Sequence, residues 1–578
     1  MHLKFLRRII FGCFVLLALS LLRLQIIQGP YFLQLSQNNR IKFVNLAAGR
    51  GIIYDRFGKV LANTRSCFNL AIIPQQTKDV QKLIEQISPH LGLSQDELLA
   101  NFKRNLLAPF IPVVIAQDLP KEKAILLECK EAEIPGLLIQ VVPLRDYPYA
   151  QSLGHILGYL GRTREKELTQ SKDYGLRRQD LVGRSGMEET FDDYLRGEPG
   201  GMQVEVNSRG YQVKLLGSKQ PQSGGELVLT IWAELQELVD DLLAEEIGAC
   251  IVLNPQNGEV LSLVSKPSFD PNLFIAALNG KQPESRRVQR LLNSQEAVLL
   301  NRAISGMYPP GSIFKIVTAC AALENEKITT KTSFFCPGSL RLGGRDFLCW
   351  KLDGHGNEDI FSGIRHSCNV FFYNSGLALG ADKLTLYAHK FGFGSFTGIE
   401  LPYQAQGLVP SKAWKLKTYR EKWYDGETAN FSIGQGYLLA TPLQVARMVS
   451  AVANGGNLIQ PHLVKKIAQQ ELVVSRKDLG LKKETIKAIK TGMRQVIQTS
   501  DGTGHKASIA SIEWAGKTAT AQAASGVAHG WFVGFYPVEQ PEVLVLVFLE
   551  HGGSGGEAPA RIAKSIMQYV IEQHRGER

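Results

Sequence analysis

Segments with the composition of β-strands stand at both ends of the C-terminal part of the chain, with a long helical stretch between them. Near its start, the apolar runs Cys250–Leu253 and Val260–Val264 flank the turn Asn254–Gly258, which predicts a β-hairpin. Three further β-rich segments occur close to the carboxyl end: Trp514–Thr520, Trp531–Phe535 and Val543–Leu549. Strands from both ends can share a sheet only if the chain returns to where it began. The pattern therefore predicts an α+β domain built around one antiparallel sheet.

Composition marks where this domain begins and ends. The small and polar segment Pro221–Gly225 separates it from the preceding residues, and a predicted helix over Ala233–Ile247 leads into the hairpin. A helix starting at Pro559 closes the domain, because its apolar residues recur every four positions. We therefore predict three parts: a cytoplasmic tip and transmembrane anchor over 1–28, an extended mixed pedestal over 29–225, and the α+β domain over 226–578.

Local patterns within the predicted pedestal indicate strands near its start and helices further on. Residues 40–75 alternate apolar runs with turn signals, so Gly51–Leu61 is expected to form two strands around a tight turn. The apolar spacing over Lys78–Leu106 predicts helix, with a break at Pro89. The glycine-bounded segment Gly183–Gly201 predicts a short amphipathic helix.

The amino-terminal segment is apolar and long enough to cross a membrane. Lys4, Arg7 and Arg8 precede an apolar stretch from Ile9 to Ile27, which would span roughly 28 Å as a helix. A cleaved signal peptide is the alternative, but apolar residues continue past its small-residue site at Ala18–Ser20. The pattern favours an uncleaved anchor, with the basic end in the cytoplasm and the rest of the chain outside the inner membrane.

The positive charge of the chain is spread along its length. The formal net charge is +11, and no run of five or more lysines and arginines occurs. Charge distributed in this way is typical of a solvated surface, so nucleic-acid binding is not expected. A mild positive balance suits proximity to an anionic membrane or an acidic polymer.

A serine and a lysine occur three residues apart at the start of a predicted apolar helix. The segment Pro309–Gly311 ends the preceding element, so Ser312 is expected in the first helical turn with Lys315 on the same face. Burial of the helix would make Lys315 lose its proton more easily, and a positive Lys517 nearby would act the same way. Lys315 would then serve as the base for the Ser312 hydroxyl. Taken alone, the pair is more typical of an N-capping serine and an exposed lysine.

Two further motifs follow in an order that is hard to obtain by chance. In Ser367–Asn369, the serine would relay a proton and the asparagine would bind an amide substrate. In Lys517–Thr518, on a predicted strand, a cation beside a hydroxyl would hold a substrate carboxylate. Each motif has a plain structural alternative, a helix cap with a turn asparagine for the first and an exposed edge-strand lysine for the second. The three motifs together indicate a serine acyl-transfer site.

These motifs make the chain resemble the class B penicillin-binding proteins, which are monofunctional D,D-transpeptidases that cross-link peptidoglycan. Trp350–Lys351 followed by Gly354–Gly356 tilts the resemblance toward the elongation type rather than the division type. It implies a penicillin-binding (serine-transpeptidase) fold over the α+β domain, a dimerisation-type pedestal and one transmembrane helix. Segments outside the three motifs carry the resemblance as well: Arg50–Arg56, Gly183–Gly200, Val264–Asn272, Leu300–Ala303 and Ile433–Gly436.

The resemblance implies a role for each residue on the helical side of the site. Ser312 would be acylated by a D-Ala-D-Ala stem peptide, and β-lactams would acylate the same serine. Lys315 would be the base, Ser367 would relay the proton, and Asn369 would anchor the substrate backbone. The acyl group would then pass to an amine on a neighbouring strand, and this transfer would require no cofactor.

On the strand side, the resemblance implies that Lys517 and Thr518 hold the terminal carboxylate. The N–H groups of Ser312 and Thr520 would form the oxyanion hole. One residue departs from the family, which usually has glycine where this chain has Ala519. Glycine lets the substrate backbone approach a strand closely, so the added methyl either is accommodated by a small shift or narrows the cleft. We expect retained acylation with altered β-lactam affinity.

No segment resembles a glycan-polymerising domain, so strand synthesis is expected from a partner. The resemblance implies a membrane glycosyltransferase of the elongation complex, contacted through the anchor and pedestal. Two other functions stay open besides a division-type transpeptidase. One is a catalytically weak penicillin-binding scaffold or β-lactam sensor, which Ala519 favours. The other is hydrolytic release, as in a carboxypeptidase or lactamase, which the pedestal and anchor disfavour.

Three of the eight cysteines cluster with a histidine in the sequence: Cys336, Cys349, His355 and Cys368. Three thiolates and one imidazole suit a closed tetrahedral zinc site. Some elongation-type relatives are understood to hold zinc in this region with carboxylates as two of the ligands. Because Cys368 is the middle residue of the second motif, a metal here would brace that motif. A Cys336–Cys349 disulfide and independent reduced thiols are the alternatives.

Overall fold

The computed structural model describes residues 2–106, 111–131, 133–170, 180–207, 212–279, 282–468, 470–522 and 526–576. The chain packs as two compact units. The first comprises Met1–Gly51, Thr64–Leu144 and Arg196–Gly224, and the second comprises Ile52–Asn63, Arg145–Leu195 and Gly225–Arg578. The last junction falls next to the predicted boundary at 225, while two segments of the predicted pedestal belong to the second unit.

The first unit begins with an apolar helix. The α-helix His2–Leu22 continues as a π-helical turn over Arg23–Ile27, and the next α-helix is Gly29–Arg40. The stretch Leu3–Ile27 is long and apolar enough to cross a membrane, and its apolar side chains are exposed. Side chains of this kind are stable in lipid. The helix therefore matches the predicted single membrane anchor.

The rest of the first unit contains two groups of strands. One is a three-stranded antiparallel sheet with the order Ile41–Leu46, Gly200–Val206 and Gln212–Lys219. In the other group, the end of Val60–Ile72 pairs antiparallel with Val113–Leu119. The strand Leu137–Asp146 follows later in the chain.

Three helices share a hydrophobic core with the second group of strands: Val80–Leu91, Gln95–Asn105 and Lys121–Glu131. The predicted helix break at Pro89 is wrong, because the first helix continues through Pro89 and ends at Gly92. Pro89 has no N–H to donate to the Glu85 carbonyl, and the Ser88 hydroxyl donates to that oxygen at 3.5 Å in its place. Gly92 ends the helix with a left-handed φ of 70°, and its N–H donates to Ser88 O.

Short strands and helices form the part of the second unit that precedes residue 225. Ile53–Tyr54 pairs antiparallel with the start of Val60–Ile72, which confirms the two strands predicted around a tight turn. The Asp55 carboxylate stabilises this turn by accepting the N–H groups of Phe57 and Lys59 at 2.8 Å. Where one amphipathic helix was predicted before Gly201, the structure has two short ones, Gly186–Thr190 and Asp192–Leu195. The strands Leu160–Arg162 and Leu181–Gly183 pair with each other.

A five-stranded antiparallel sheet lies at the centre of the second unit. The strands are β1 Gly248–Leu253, β2 Val260–Lys266, β3 Ala515–Ala521, β4 His529–Tyr536 and β5 Val543–Leu549. They come from both ends of the domain, as predicted, and the hairpin β1–β2 forms as expected. The order is β2-β1-β5-β4-β3, so β3 lies at an edge.

Four helices position the site: α1 Lys315–Glu324, α2 Asn369–Leu379, α3 Lys483–Gln498 and α4 Ala558–Gly576. Helix α3 packs against β3, and α4 packs against β4 and β5. Helix α1 is buried on nearly every side, as predicted. After residue 225, the further α-helices among the described residues are Ala233–Leu242, Pro271–Leu278, Gln282–Leu292, Ile360–Arg365, Ala381–Lys390, Lys412–Tyr419, Asp425–Ser432 and Pro442–Ala453.

Small strand pairs complete the second unit. Two of them flank the cysteine cluster, Phe334–Cys336 with Gly356–Glu358 and Ser339–Leu342 with Arg345–Leu348. The others are Asn457–Ile459 with Arg476–Asp478, Val464–Ile467 with Gln470–Glu471, and Leu227–Leu229 between Val464–Ile467 and Ile53–Tyr54.

Candidate active site

Two glycines hold the turn that carries Ser312. Gly311 has a left-handed φ of 54°, and its N–H donates to the carbonyl of Gly434 at 3.0 Å. A Cβ at Gly434 would lie 2.2 Å from the Gly311 carbonyl oxygen, so no larger residue fits this position. The 3-10 helix Gly311–Phe314 then leads directly into α1. Ser312 is therefore placed at the start of a buried helix, with its own side chain partly exposed.

Lys315 is fully buried one turn after Ser312. Its Nζ donates to the Ser367 carbonyl at 2.7 Å, to the Ser367 hydroxyl at 3.3 Å and to Asn369 Oδ1 at 2.7 Å. Burial lowers the pKa of Lys315 to about 8, against an opposing effect of nearby cysteines. The amine is therefore poised to accept a proton near neutral pH.

The Ser367–Asn369 loop lies between α1 and the strand side of the site. Ser367 is not a helix cap, since it has a left-handed φ of 53° and Cys368 occupies the N-cap of α2. Asn369 is the first residue of the helix, and its Nδ2 donates to Leu348 O at 3.1 Å while its Oδ1 accepts from Lys315. One Nδ2 hydrogen remains for a substrate carbonyl.

Lys517 reaches the same serine from strand β3. Its Nζ donates to the Ser367 hydroxyl at 2.9 Å and to the Thr518 carbonyl at 2.8 Å. The side chain is completely buried, so the alternative of an exposed edge-strand lysine is wrong. Burial, and then the charge of Lys315, hold the pKa of Lys517 well below its ordinary value. The sequence predicted that the charge of Lys517 lowers the pKa of Lys315. In the structure, the charge of Lys315 lowers the pKa of Lys517.

Alternation along β3 separates its side chains onto two faces. Lys517 and Ala519 share one face, and Thr518 and Thr520 share the other. Ala519 is only 3% exposed, and a Cβ built on Gly311 would lie 3.3 Å from its methyl. The methyl therefore packs toward the turn that carries Ser312. The effect of this methyl on the width of the cleft stays a prediction.

Thr518 has a neighbour that the sequence did not predict. Its Oγ1 lies 2.8 Å from Oγ1 of Thr503, which belongs to the loop after α3. The signal for this loop was the small-residue run Gly502–Gly504 after a helix, which indicates only a turn. Thr503 therefore joins the site through tertiary packing.

The four predicted metal ligands converge beside this site. The Sγ atoms of Cys336, Cys349 and Cys368 and a ring nitrogen of His355 all lie within 4.8 Å of one another. His355 Nδ1 is 3.6 Å from Cys336 Sγ and 3.5 Å from Cys349 Sγ. The pKa of Cys349 is held well below its ordinary value, mainly by a hydrogen bond from the Cys368 thiol and further by other hydrogen bonds to its sulfur. All cysteines are unpaired in the structure, so the Cys336–Cys349 disulfide is not formed.

Comparison with known proteins identifies the family. Residues 248–568 match the penicillin binding protein transpeptidase domain, and residues 45–229 match the penicillin-binding protein dimerisation domain. The chain is 33% identical to a peptidoglycan D,D-transpeptidase MrdA of Haemophilus influenzae, over 96% of this chain and 89% of that protein.

Solved structures give the same result. A penicillin-binding protein (PBP2) from Helicobacter pylori in complex with MreC has a TM-score of 0.80 and 30% identity, over 92% of this chain and 99% of that one. A chain from a peptidoglycan synthase complex that couples polymerization and crosslinking has a TM-score of 0.77 and 30% identity, over 98% and 97% of the two chains.

The chain belongs to the penicillin-binding proteins that carry a transpeptidase domain. The predicted resemblance to the elongation type, represented by penicillin-binding protein 2, is confirmed, as is the predicted fold class. The predicted class of enzyme, a serine-type peptidoglycan D,D-transpeptidase anchored by one membrane helix, is confirmed with them. The acyl transfer of this family needs no cofactor.

Proposed function

We propose that this chain cross-links peptidoglycan stem peptides during cell-wall elongation through an acyl-enzyme on Ser312. The observation that carries the proposal is the hydrogen-bonded cluster of Lys315, Ser367, Asn369 and Lys517 beside the Ser312 turn. A buried amine, a relay hydroxyl and a nucleophile at the start of a helix are the groups that serine acyl transfer needs.

In the first step, the Ser312 hydroxyl attacks the carbonyl carbon of the penultimate D-alanine. Lys315 takes the serine proton, the C–N bond to the last D-alanine breaks, and the leaving amine receives a proton through Ser367. The N–H groups of Ser312 and Thr520 stabilise the oxyanion. An edge strand suits this role, because among the strands that the structure describes β3 has a partner on one side only.

In the second step, an amine on a neighbouring stem peptide attacks the ester carbonyl. Ser367 passes a proton from this amine to Lys315, the ester bond breaks, and Lys315 gives that proton to the Ser312 oxygen. A β-lactam acylates the same serine, but its leaving nitrogen stays attached to the acyl group and blocks the approach of the amine.

Substrate orientation is assigned to polar groups on both sides of the cleft. Lys517 and Thr518 hold the terminal carboxylate, and the free Nδ2 hydrogen of Asn369 donates to a substrate carbonyl. Ala519 no longer favours a weakly catalytic scaffold, because its methyl packs toward the Ser312 turn.

The test is cross-linking of lipid-linked glycan strands by the full-length protein together with a membrane glycosyltransferase. We expect cross-linked product with the natural chain and none with Ser312→Ala. Penicillin labelling without any cross-linked product would favour the sensor or scaffold, and release of D-alanine without cross-links would favour a carboxypeptidase.

We also propose that the cysteine cluster holds one structural zinc ion. Three thiols and His355 Nδ1 converge on one point, which is the donor set that zinc prefers. Cys368 is the N-cap residue of α2, and the N–H of Asn369 donates to Cys349 Sγ at 3.4 Å, which favours the thiolate of Cys349. Bound zinc would neutralise the thiolates and brace the Ser367–Asn369 loop. Elemental analysis of protein purified without chelators tests the assignment, and zinc well below one equivalent would refute it.

The membrane orientation is assigned from charge. Lys4, Arg7 and Arg8 lie on the amino-terminal side of the anchor, so the catalytic unit is proposed on the extracytoplasmic side. Partners are proposed from the similar complexes: an elongation glycosyltransferase and an MreC-like protein. Protease treatment of intact spheroplasts tests the orientation, and a chain protected until the membrane is broken would contradict it.

A further inference from the structure

A second threonine hydroxyl lies beside the proposed carboxylate ligand Thr518. The Oγ1 atoms of Thr518 and Thr503 are 2.8 Å apart. Thr518 is 6% exposed and Thr503 is partly buried, so water competes poorly for this contact. The two residues come from β3 and from the loop after α3, and no motif of the sequence pairs them.

The loop that carries Thr503 is anchored by its backbone. The N–H of Thr503 donates to Arg365 O at 3.3 Å, and the N–H of Gly504 donates to Val496 O at 3.0 Å near the end of α3. A Cβ at Gly502 would lie 2.3 Å from the same Val496 oxygen, so the loop packs directly on the helix. These contacts fix the position of the Thr503 side chain relative to β3.

Charged groups provide a second anchor for the loop. The Asp501 carboxylate lies 2.9 Å from His366 Nε2 and 3.4 Å from Arg365 Nε. The other ring nitrogen of His366 lies 2.8 Å from Glu358 Oε1. The loop is thus tied to the segment that leads into Ser367, and both sides of the cleft support Thr503.

The number of hydroxyl hydrogens limits what the contact between Thr503 and Thr518 can do. A threonine hydroxyl has one hydrogen, so Thr518 cannot donate to Thr503 and to a substrate carboxylate at once. If the hydrogen bond between the two threonines is kept, Thr518 can donate to the carboxylate only when Thr503 is the donor in that bond. The Thr503 hydroxyl has a second acceptor in Arg365 O at 3.4 Å, so rotation about its C–O bond changes which acceptor it serves.

We propose that Thr503 is a positioning residue for recognition of the substrate carboxylate. When the carboxylate binds, the Thr503 hydroxyl donates to Thr518 Oγ1, and the Thr518 hydrogen turns toward the carboxylate. The polarised Thr518 hydroxyl is then a better donor to a negative charge. This inference rests on the proposed role of Thr518.

The experiment compares two thioester substrates that share one acyl group. One ends in a free carboxylate on its leaving group, and the other ends in the corresponding carboxamide. Full-length protein is assayed as the natural chain, as Thr503→Val, which removes the hydroxyl at nearly constant volume, and as Thr503→Ser, which keeps it. We expect Thr503→Val to lower kcat/KM for the carboxylate substrate about tenfold, mainly through KM, and Thr503→Ser to restore it. Acylation by the carboxamide should change less than about twofold.

Thr518→Val separates failure of this inference from failure of the proposed function. If Thr518→Val selectively impairs the carboxylate substrate but Thr503→Val does not, the role of Thr503 is refuted and that of Thr518 stands. If Thr518→Val does not distinguish the two substrates, the proposed carboxylate site is refuted and the role of Thr503 falls with it. Equal loss of both substrates in Thr503→Val, with a lower Tm, would assign Thr503 a purely structural role and overturn the proposal.

Discussion

Two buried polar clusters meet at the Ser367–Asn369 loop, and they handle charge in opposite ways. The amines of Lys315 and Lys517 are fully buried, and burial lowers the pKa of each, which shifts both amines toward the neutral form. The cysteine cluster gathers thiols around His355, whose Nε2 has no hydrogen-bond partner among the described residues. The first cluster is suited to exchanging protons, and the thiols of the second would lose their protons on binding the proposed zinc ion. The loop between them is held from both sides.

The largest effect should come from replacing the proposed base. Lys315→Met removes the proton acceptor, and Lys315→Arg keeps a charge that cannot be lost. We expect both variants to lower the rate of penicillin acylation by about 10²–10⁴-fold, measured by stopped-flow with a fluorescent penicillin. Zinc content should stay unchanged, because Lys315 donates to Ser367 and Asn369 but not to a thiol. Acylation of Lys315→Arg at the natural rate would contradict the assignment.

Breaking the other cluster should have a different signature. Cys336→Ser removes one of the four proposed zinc ligands. We therefore expect loss of bound zinc and a Tm lower by several degrees. Acylation should fall less than in the lysine variants, because Cys336 touches no group of the acyl transfer. Cys129→Ser is the control, since Cys129 is exposed. Full zinc content in Cys336→Ser would exclude this ligand set.

The dependence of acylation on pH sharpens the contrast between the clusters. Only neutral Lys315 accepts the Ser312 proton, and its pKa is lowered to about 8. The second-order rate of acylation should therefore rise with pH up to about 8 and level off above it. A rate that falls over this range would show that a protonated group is required instead.

The smallest effect is expected at Ala519. Ala519→Gly removes a buried methyl that packs toward Gly311, so we expect a stability loss of about 1 kcal/mol and a change in penicillin acylation of less than about threefold. Denaturant unfolding and penicillin labelling measure the two quantities. A large gain in acylation by bulky β-lactams alone would show that the methyl faces the cleft.

Local pattern predicted much of the fold because the relevant signals are local. The run Val543–Leu549 is apolar throughout and contains three β-branched valines, and the hairpin β1–β2 has turn residues between two apolar runs, so both form as expected. The Ser312 turn was predicted because proline and glycine fix its backbone. Pro89 misled the prediction, because a proline this close to the end of a helix removes only its own backbone donor and just two helical residues follow it.

Tertiary packing decided the features that the sequence did not predict. The side of β3 on which the Ala519 methyl lies depends on the packing of Gly311, more than two hundred residues earlier. Thr503 meets Thr518 only because α3 packs against β3. The charge of Lys315 lowers the pKa of Lys517 while burial lowers that of Lys315, and spacing along the chain does not tell which amine is affected by the charge of the other.

If the three motifs form one acylation site, penicillin must react with Ser312 and with no other residue. Peptide mapping by mass spectrometry of the full-length protein after treatment with penicillin measures this. We expect a single adduct, on the peptide that contains Ser312, and no adduct in Ser312→Ala. An adduct on another residue, or an unchanged adduct in that variant, would show that Ser312 is not the nucleophile.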